Sequence, residues 1–190
     1  FTKCLTHPVR NQETALGNLI ADILRDSLGI DLALMGSGAI RNYELGPVVH
    51  YQDLVESLPY DEAMYMVQVN GAQLERMLRY ILREEAFEGE HTEFYQFSHG
   101  LHIVWSRSRQ EFEALTLEGK ALNEQKLYSI ALSKYHYMNM QDFLMLSLEE
   151  AKANALPRVL ATSCRDIVEE YMMVNPHLSR EVEGRLVVKA

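Results

Sequence analysis

Asp31-Leu-Ala-Leu-Met35, followed by Gly36-Ser-Gly-Ala-Ile-Arg41, is the stretch that decides the fold. The first segment is mostly apolar and predicts a short buried strand, and the glycines that follow predict a turn at its carboxyl end. Open α/β sheets bind ligands at that end of their strands. Glycine lets backbone amides approach an anion, and Arg41 adds a bidentate donor for phosphate or carboxylate. Taken alone, the segment is weak evidence for a site, because a glycine-rich turn with an exposed arginine is more often an ordinary loop.

Apolar periodicity on both sides of this stretch predicts further helices and strands. Leu16, Ile20, Ile23 and Leu24 recur at helical spacing within residues 10–28, and Gly29 follows as a stop. Other helices are predicted over Tyr51–Ser57, Ala72–Glu85 and Thr162–Val174, and strands over Ala63–Asn70, Phe94–Phe97, Leu101–Trp105, Ala114–Leu117, Leu127–Leu132 and Arg185–Lys189. They interleave without strict βαβ order, which predicts an α+β (mixed α/β) fold: a single domain over residues 1–190, with a mixed β-sheet packed by helices.

Composition bounds the class of protein. The 190 residues are 47% hydrophobic and 24% charged, which is typical of a globular chain and argues against disorder. The net charge of −9 argues against broad binding to nucleic acid or to an anionic membrane, but it is compatible with one small anion in a locally basic pocket. No apolar run approaches the roughly 20 residues that a membrane helix needs.

Motifs of self-contained catalysis or metal binding are missing from the sequence. The seven histidines are scattered, and only His99 and His102 lie close together, without a carboxylate cluster at metal-ligand spacing. HExxH, CxxC, GxSxG and Walker patterns are absent. We therefore expect no catalytic residue and no metal ligand in this chain. Cys4 and Cys164 leave two alternatives open, a disulfide in an oxidising compartment or two buried free thiols.

Three more residues are candidates for ligand contact. Arg10 lies at or just before the start of the first predicted helix and would supply a second cation. Tyr60 falls on a loop, Tyr135 follows a predicted strand end, and planar rings on loops can sandwich a flat heterocycle. The alternative is a solvated arginine and two tyrosines that cap the core with their hydroxyls in water.

Several segments together resemble the C-terminal domain of the 5′-nucleotidase family, which includes ecto-5′-nucleotidases, bacterial UDP-sugar hydrolases and related cyclic-nucleotide phosphodiesterases. In chain order they are Arg10–Asp22 (the opening helix), Gly36–Arg41 (the family's Asn-Gly-Gly-Gly-Ile-Arg), Leu58-Pro59-Tyr60 (Leu-Pro-Phe, with Asp53 upstream), Gln96–His102 (the entry to the central hairpin) and Glu183–Arg185 (the end of the domain). The ordered set covers nearly the whole chain.

The resemblance implies a role within a larger protein. Family members are two-domain hydrolases of phosphoric ester bonds, whose N-terminal metallophosphoesterase domain holds two divalent metals and whose C-terminal domain binds the nucleoside and rotates to deliver it. We therefore expect a nucleotide- or nucleoside-recognition domain, with the N-terminal domain and the metals outside this chain and no cofactor within it. The isolated chain should be inactive. Its expected partners are a nucleotide-like small molecule and the missing domain, in an extracytoplasmic location, with no nucleic acid and no membrane contact.

The resemblance also assigns site residues. Arg10 and Arg41 match arginines that contact substrate, and Tyr60 and Tyr135 stand where two phenylalanines stack on the base.

Two further motifs depart from the family. Gly36 replaces an Asn, for which the neighbouring Ser37 would substitute as a hydrogen-bonding group. The family's Gly-Gly-Asp-Gly, whose Asp holds the ribose, reads Asn139-Met-Gln-Asp142 here, so Gln141 or, after a one-residue shift, Asp142 would touch the sugar. These departures support the alternative of a non-catalytic binding or interaction module with a degenerate nucleotide site.

Overall fold

The computed structural model describes residues 1–88 and 93–190 of the chain. Its elements follow in the order β1 (Leu5–Thr6), α1 (Ala15–Leu28), β2 (Leu32–Gly36), β3 (Glu44–Leu45), α2 (Tyr51–Ser57), β4 (Met64–Asn70), α3 (Gly71–Ile81), β5 (Tyr95–Phe97), β6 (Leu101–Ser106), β7 (Glu111–Leu117), β8 (Lys120–Ala121), β9 (Leu127–Ser133), α4 (Lys134–Met138), α5 (Met140–Leu144), α6 (Leu148–Asn154), β10 (Arg158–Ala161), α7 (Cys164–Val174) and β11 (Leu186–Lys189). Two short 3-10 helices, Ser37–Ala39 and Glu84–Ala86, follow β2 and α3.

Helix α1 has well-defined caps at both ends. The Thr14 hydroxyl accepts a hydrogen bond from the Gly17 amide at 3.0 Å and satisfies one of the free donors of the first turn. Gly29 has φ +64°, a left-handed conformation that glycine adopts without strain, and it ends the helix where the sequence predicts. Because the helix begins only at Ala15, Arg10 lies on the loop before it.

The central sheet has five strands in the order β10-β4-β9-β2-β5. Strand β2 is parallel to β9 and antiparallel to β5, and β4 is antiparallel to both β9 and β10. A four-stranded sheet, β11-β6-β7-β8, and a two-stranded pair, β1-β3, complete the fold. The carboxyl ends of β2 and β9 and the amino end of β4 therefore lie at the same edge of the central sheet.

Both faces of the central sheet are covered by apolar cores. Leu32 and Leu34 of β2 pack into a core with α3, α5 and the four-stranded sheet, whose largest member is the fully buried Trp105. Ala33 and Met35 point the other way, into a core with α1 and α7. Successive side chains of a strand face opposite sides, so an apolar strand such as β2 requires cover on both. The structure confirms the predicted mixed α/β class.

A buried charge cluster joins α1 to the C-terminal segment. Asp22, which is 1% exposed, accepts hydrogen bonds from Arg185 at 2.6 and 2.9 Å, from Arg180 at 2.6 Å and from the His99 amide at 2.7 Å. Burial alone would raise the pKa of Asp22, but the two guanidinium groups outweigh it and hold that pKa below its ordinary value. The first helix and the last strand are thereby fixed to each other.

Both cysteines are free thiols, so of the two alternatives the structure favours unpaired cysteines. Cys164 is buried at the start of α7, and burial raises the pKa of its thiol to about 12, whereas Cys4 is only half-buried. The longest helix in the described ranges, α1, has 14 residues, and none there combines the length and apolar character that crossing a bilayer requires.

Candidate functional site

A cleft of about 390 Å³ opens at the edge where β2 and β9 end and β4 begins. Arg10, Arg41, Tyr60 and Tyr135, four of the seven predicted site residues, all line it. Arg41 follows the 3-10 helix after β2, Tyr60 precedes β4, and Tyr135 lies on α4 directly after β9. The strand directions therefore bring together residues that lie up to 125 positions apart in the sequence.

A buried polar network fixes the Arg10 loop against the turn after β2. The amide nitrogen of Gln96 donates to the Gln12 carbonyl at 2.8 Å and to the Ser37 hydroxyl at 2.9 Å, while its oxygen accepts from the Thr14 amide at 3.1 Å. Gly17 makes room for this side chain, since a Cβ there would lie 2.3 Å from the Gln96 oxygen. One glutamine thus connects both arginine-bearing segments.

His7 reinforces the same network from the N-terminal side. Burial lowers the pKa of His7, which favours the neutral ring. Its Nε2–H then donates to the Ser37 carbonyl at 3.0 Å, and Nδ1 accepts from the Thr14 hydroxyl at 2.8 Å. The loop that carries Arg10 is therefore held at both of its ends.

The two arginines are available to an anion. Arg41 Nη1 donates weakly to the Gly38 carbonyl at 3.4 Å, and Arg10 Nη1 lies 3.8 Å from the position a Cβ on Gly38 would occupy. Both side chains are exposed, and neither forms an ion pair with any residue of the described ranges 1–88 and 93–190. Two unpaired guanidinium groups beside one glycine form a local positive site in an acidic protein.

The two tyrosines are the aromatic surface of the cleft. Tyr60 is 58% and Tyr135 48% exposed, so both rings present apolar surface in the cleft. The Tyr135 ring rests against Phe143 at 5.6 Å and against His136 at 5.3 Å between centroids. The Tyr135 ring thus packs against two neighbouring rings, and both tyrosines remain accessible to a ligand.

The other three predicted residues do not line the cleft. Ser37 is fully buried, and its hydroxyl is occupied by Gln96. Gln141 and Asp142 lie exposed on α5, because Met140 and Leu144, one helical turn apart, are buried in the core and turn that segment into a helix. Gln141 and Asp142 are therefore helical residues outside the cleft lining, and the contact of either with a sugar stays a prediction.

His136 is a component of the cleft that sequence reasoning missed. It is 3% exposed, and its Nε2–H donates to Glu93 at 3.1 Å while Nδ1 lies 3.0 Å from the Ser133 hydroxyl. A Cβ on Gly36 would lie 2.2 Å from His136 Cε1, so the ring occupies the space that this glycine leaves free. The signal in the sequence was Gly36 itself, at the position where the family motif has an Asn.

The relationship to known proteins agrees with this architecture. The family model of the 5′-nucleotidase C-terminal domain matches residues 3–147, about three quarters of the chain. The chain belongs to the 5′-nucleotidase C-terminal domain family. The match includes β2, the turn after it and all four predicted residues that line the cleft.

Relatives of this 5′-nucleotidase C-terminal domain are distant in sequence but close in fold. Protein UshA of Yersinia enterocolitica is 19% identical over 186 residues, which cover 95% of this chain and 32% of that protein. A 5′-nucleotidase precursor from Thermus thermophilus superposes with a TM-score of 0.80 at 20% identity, over 98% of this chain and 38% of that one. NAD nucleotidase (NadN) of Haemophilus influenzae gives 0.77 at 10% identity, over 96% and 36%. The chain spans about a third of the length of these relatives.

Two carboxylates complete the cleft of this family member. Glu62 and Glu93 line it together with Ser133 and His136, and none of the four was predicted from the sequence. Ser133 and His136 lie together at the start of α4, whereas Glu62 and Glu93 lie on two other segments, so no spacing pattern links all four. Nowhere in residues 1–88 and 93–190 do three or more His, Cys, Asp or Glu side chains converge in a way that could hold a metal ion.

Proposed function

We propose that this chain is the nucleotide- or nucleoside-recognition domain of a two-domain, metal-dependent phosphoester hydrolase that removes phosphate from nucleotides. The observation that carries the proposal is the convergence of Arg10, Arg41, Tyr60 and Tyr135 on one cleft in a 5′-nucleotidase C-terminal domain. The names of the relatives, a 5′-nucleotidase precursor and an NAD nucleotidase, support a nucleotide as the ligand class.

The proposed roles follow from the chemistry of the side chains. Tyr60 and Tyr135 stack on the base, and stacking on an aromatic side chain contributes about 1–3 kcal/mol per base. Arg10 and Arg41 orient the anionic part of the ligand through charge-assisted hydrogen bonds. We also propose that the parent protein is extracytoplasmic, and that two divalent metals in its N-terminal domain activate the attacking water. This chain then binds and presents the substrate.

A binding experiment tests the recognition role. Titration of the chain with AMP, adenosine and UDP-glucose, followed by NMR, should shift the resonances of Tyr60 and Tyr135. Tyr60→Ala should abolish those shifts, whereas Tyr51→Ala should keep them, because Tyr51 is equally exposed (57%) but lies on α2, outside the cleft. Shifts that survive Tyr60→Ala, or that map to α2, would contradict the proposed site.

An activity experiment tests whether this chain only binds the substrate while the rest of the parent protein catalyses the reaction. The isolated chain should hydrolyse no nucleotide with added divalent cation, while the parent protein should do so. Phosphatase turnover that follows the isolated polypeptide through purification, and disappears with Arg41→Ala, would place catalysis inside this chain and refute the proposal.

One observation favours the second candidate function, a binding or interaction module with a degenerate nucleotide site. Gln141 and Asp142 lie on α5 and are not among the residues that line the cleft, and Gln141 stands where the family motif has the Asp that holds the ribose. No NMR shift at millimolar nucleotide, from a chain with a dispersed and otherwise native spectrum, would favour that module over the recognition domain.

A further inference from the structure

Glu62 and Glu93 bring two carboxylates to the aromatic cleft. One oxygen of Glu62 accepts a hydrogen bond from the Tyr135 amide at 3.3 Å, and one oxygen of Glu93 accepts from His136 Nε2 at 3.1 Å. The second oxygen of each carboxylate has no hydrogen-bond partner in the part of the chain that the structure describes. Both side chains line the cleft, so these two oxygens are available to a ligand.

The cleft is lined by charges of both signs. The guanidinium groups of Arg10 and Arg41 lie around Gly38, whereas both carboxylates are held by the backbone or side chain of residues 135–136. No ion pair joins the arginines to the glutamates within the described residues. A ligand in the cleft therefore meets hydrogen-bond donors from the arginines and acceptors from the glutamates.

An ionised carboxylate can only accept hydrogen bonds, so the free oxygens of Glu62 and Glu93 together suit a ligand with two adjacent N–H donors. Among the common nucleobases, guanine presents such a pair, N1–H beside the N2 amino group. Adenine and cytosine place an acceptor ring nitrogen beside their amino group, and uracil has a single N–H between two carbonyls. A carboxylate beside a stacking ring thus favours guanine and disfavours uracil.

We propose that Glu62 and Glu93 are specificity-determining residues that make this cleft select a base with adjacent N–H donors, of the guanine type. This inference rests on the proposed function, since it assumes that the two tyrosines stack on a base. It adds the identity of the base edge and names two residues outside the predicted set.

His136 acts as a positioning residue for one of the two acceptors. It contacts no open part of the cleft with its polar atoms, because Nδ1 faces Ser133 and Nε2 faces Glu93. Its ring is enclosed by Gly36, Tyr95 and Tyr135, so its orientation, and with it that of the Glu93 carboxylate, is fixed before a ligand arrives. A prearranged acceptor avoids the cost of ordering a long side chain on binding.

Calorimetric titration of the chain with GMP, IMP, AMP, UMP and phosphocholine tests the proposal. Hydrogen bonds to a charged group correspond to about a tenfold to hundredfold change in affinity, so GMP should bind that much more tightly than AMP or UMP. IMP keeps N1–H but lacks the amino group, so its affinity should lie between those of GMP and UMP. Glu62→Gln and Glu93→Gln should each reduce the preference for GMP, while Glu124→Gln, an exposed substitution outside the cleft, should leave it unchanged.

The outcomes separate this inference from the proposed function. Equal affinity for all four nucleotides, a preference for AMP or UMP, or a GMP preference that survives both Glu→Gln substitutions would overturn the base selection but keep nucleotide recognition. Phosphocholine carries an ammonium group that also suits carboxylates and aromatic rings. If it binds more tightly than every nucleotide, or if no nucleotide binds, both proposals fail.

Discussion

Replacing Gly36 by alanine tests whether the His136 ring is held in place by the absence of a side chain. Gly36 has φ −55° and ψ 119°, a backbone conformation that alanine adopts without strain, so the substitution adds only a methyl group. That methyl would lie 2.2 Å from His136 Cε1 and 2.9 Å from Nε2, well inside van der Waals contact. Either the ring or the strand must move.

The neighbours of the ring leave it little space to move. Its centroid lies 4.9 Å from Tyr95, 5.3 Å from Tyr135 and 6.0 Å from Phe143, and the side chain is buried. To restore ordinary contact the ring would have to retreat by more than about 1 Å, into side chains that already touch it. Overpacking of this kind costs about 1–3 kcal/mol, to which the loss of the His136–Glu93 hydrogen bond adds about 1 kcal/mol.

The assay is urea unfolding followed by circular dichroism, with Gly38→Ala as the matched control. A Cβ on Gly38 would meet only Arg10 Nη1 at 3.8 Å, so the same methyl is accommodated there. Both substitutions reduce the entropy of the unfolded chain similarly, and the difference between them isolates the clash. In a thermal melt of the same variants, each kcal/mol of unfolding free energy that is lost should lower the melting temperature by about 2–4 °C for a chain of this size.

A double variant makes the test specific to this pair. If the clash is the cause, Gly36→Ala should be much less harmful in a His136→Ala background, and the two effects should be clearly non-additive. Gly36→Ala that destabilises no more than Gly38→Ala, or that is fully additive with His136→Ala, would refute the reasoning.

The buried charge cluster and the cysteines give two further predictions. Asp22→Asn should lower the free energy of unfolding by about 3 kcal/mol, because it leaves the buried Arg185 with only the half-exposed Glu183 as a counter-charge. The pKa of Asp22 in the folded state is depressed below 3.8, so its contribution to wild-type stability should be complete above about pH 4 and should be lost as the carboxylate is protonated at lower pH. The free energy of unfolding of the Asn variant, measured in urea, should lack this part of the decrease at low pH. An equal decrease for both proteins would contradict the prediction. At about pH 8 a thiol reagent should label the half-buried Cys4 well before Cys164, because the Cys164 thiol is buried and has a pKa of about 12. Mass spectrometry can follow the labelling, with Cys4→Ser as the control. Equal labelling rates would be inconsistent with the packing of α7.

Elements with strong periodicity and good caps could be predicted from the sequence. The helix Tyr51–Ser57 has the bounds that the pattern predicts. Helix α3 begins one residue earlier than predicted, because Asn70 and Gln73 cap it reciprocally, and it ends at Ile81, because Arg83 is already extended. Such boundary shifts come from side-chain hydrogen bonds that hydrophobic periodicity does not contain.

Short elements escaped prediction because two to four residues are too few to show a periodic pattern. Strands β1, β3 and β8 have two residues each, and β10 is formed by pairing with β4, more than 80 positions away. Helix α5 was not predicted from the sequence, although Met140 and Leu144 are spaced like one buried helical face.

In the candidate site, too, some features could be predicted from the sequence and others could not. Arg10, Arg41, Tyr60 and Tyr135 could be singled out by residue type and resemblance, but no spacing rule brings them together. Their convergence depends on strand directions and on Gln96, whose hydrogen-bond partners lie 59 to 84 positions away. Sequence reasoning assigned that glutamine no role, because a buried amide cannot be distinguished from an exposed one in a single sequence.

The bond between Asp22 and the C-terminal segment has a consequence for biosynthesis. Arg180 and Arg185 are added 158 and 163 positions after the carboxylate they neutralise. At about 5–20 residues per second, a ribosome needs on the order of ten seconds or more to cover that distance. Until then, burial of α1 would place the Asp22 carboxylate in an apolar core without a counter-charge, so the face of the helix that carries Asp22 stays hydrated. The chain therefore completes its fold only after nearly all of it has emerged, and the nascent domain spends that interval open to chaperones and proteases.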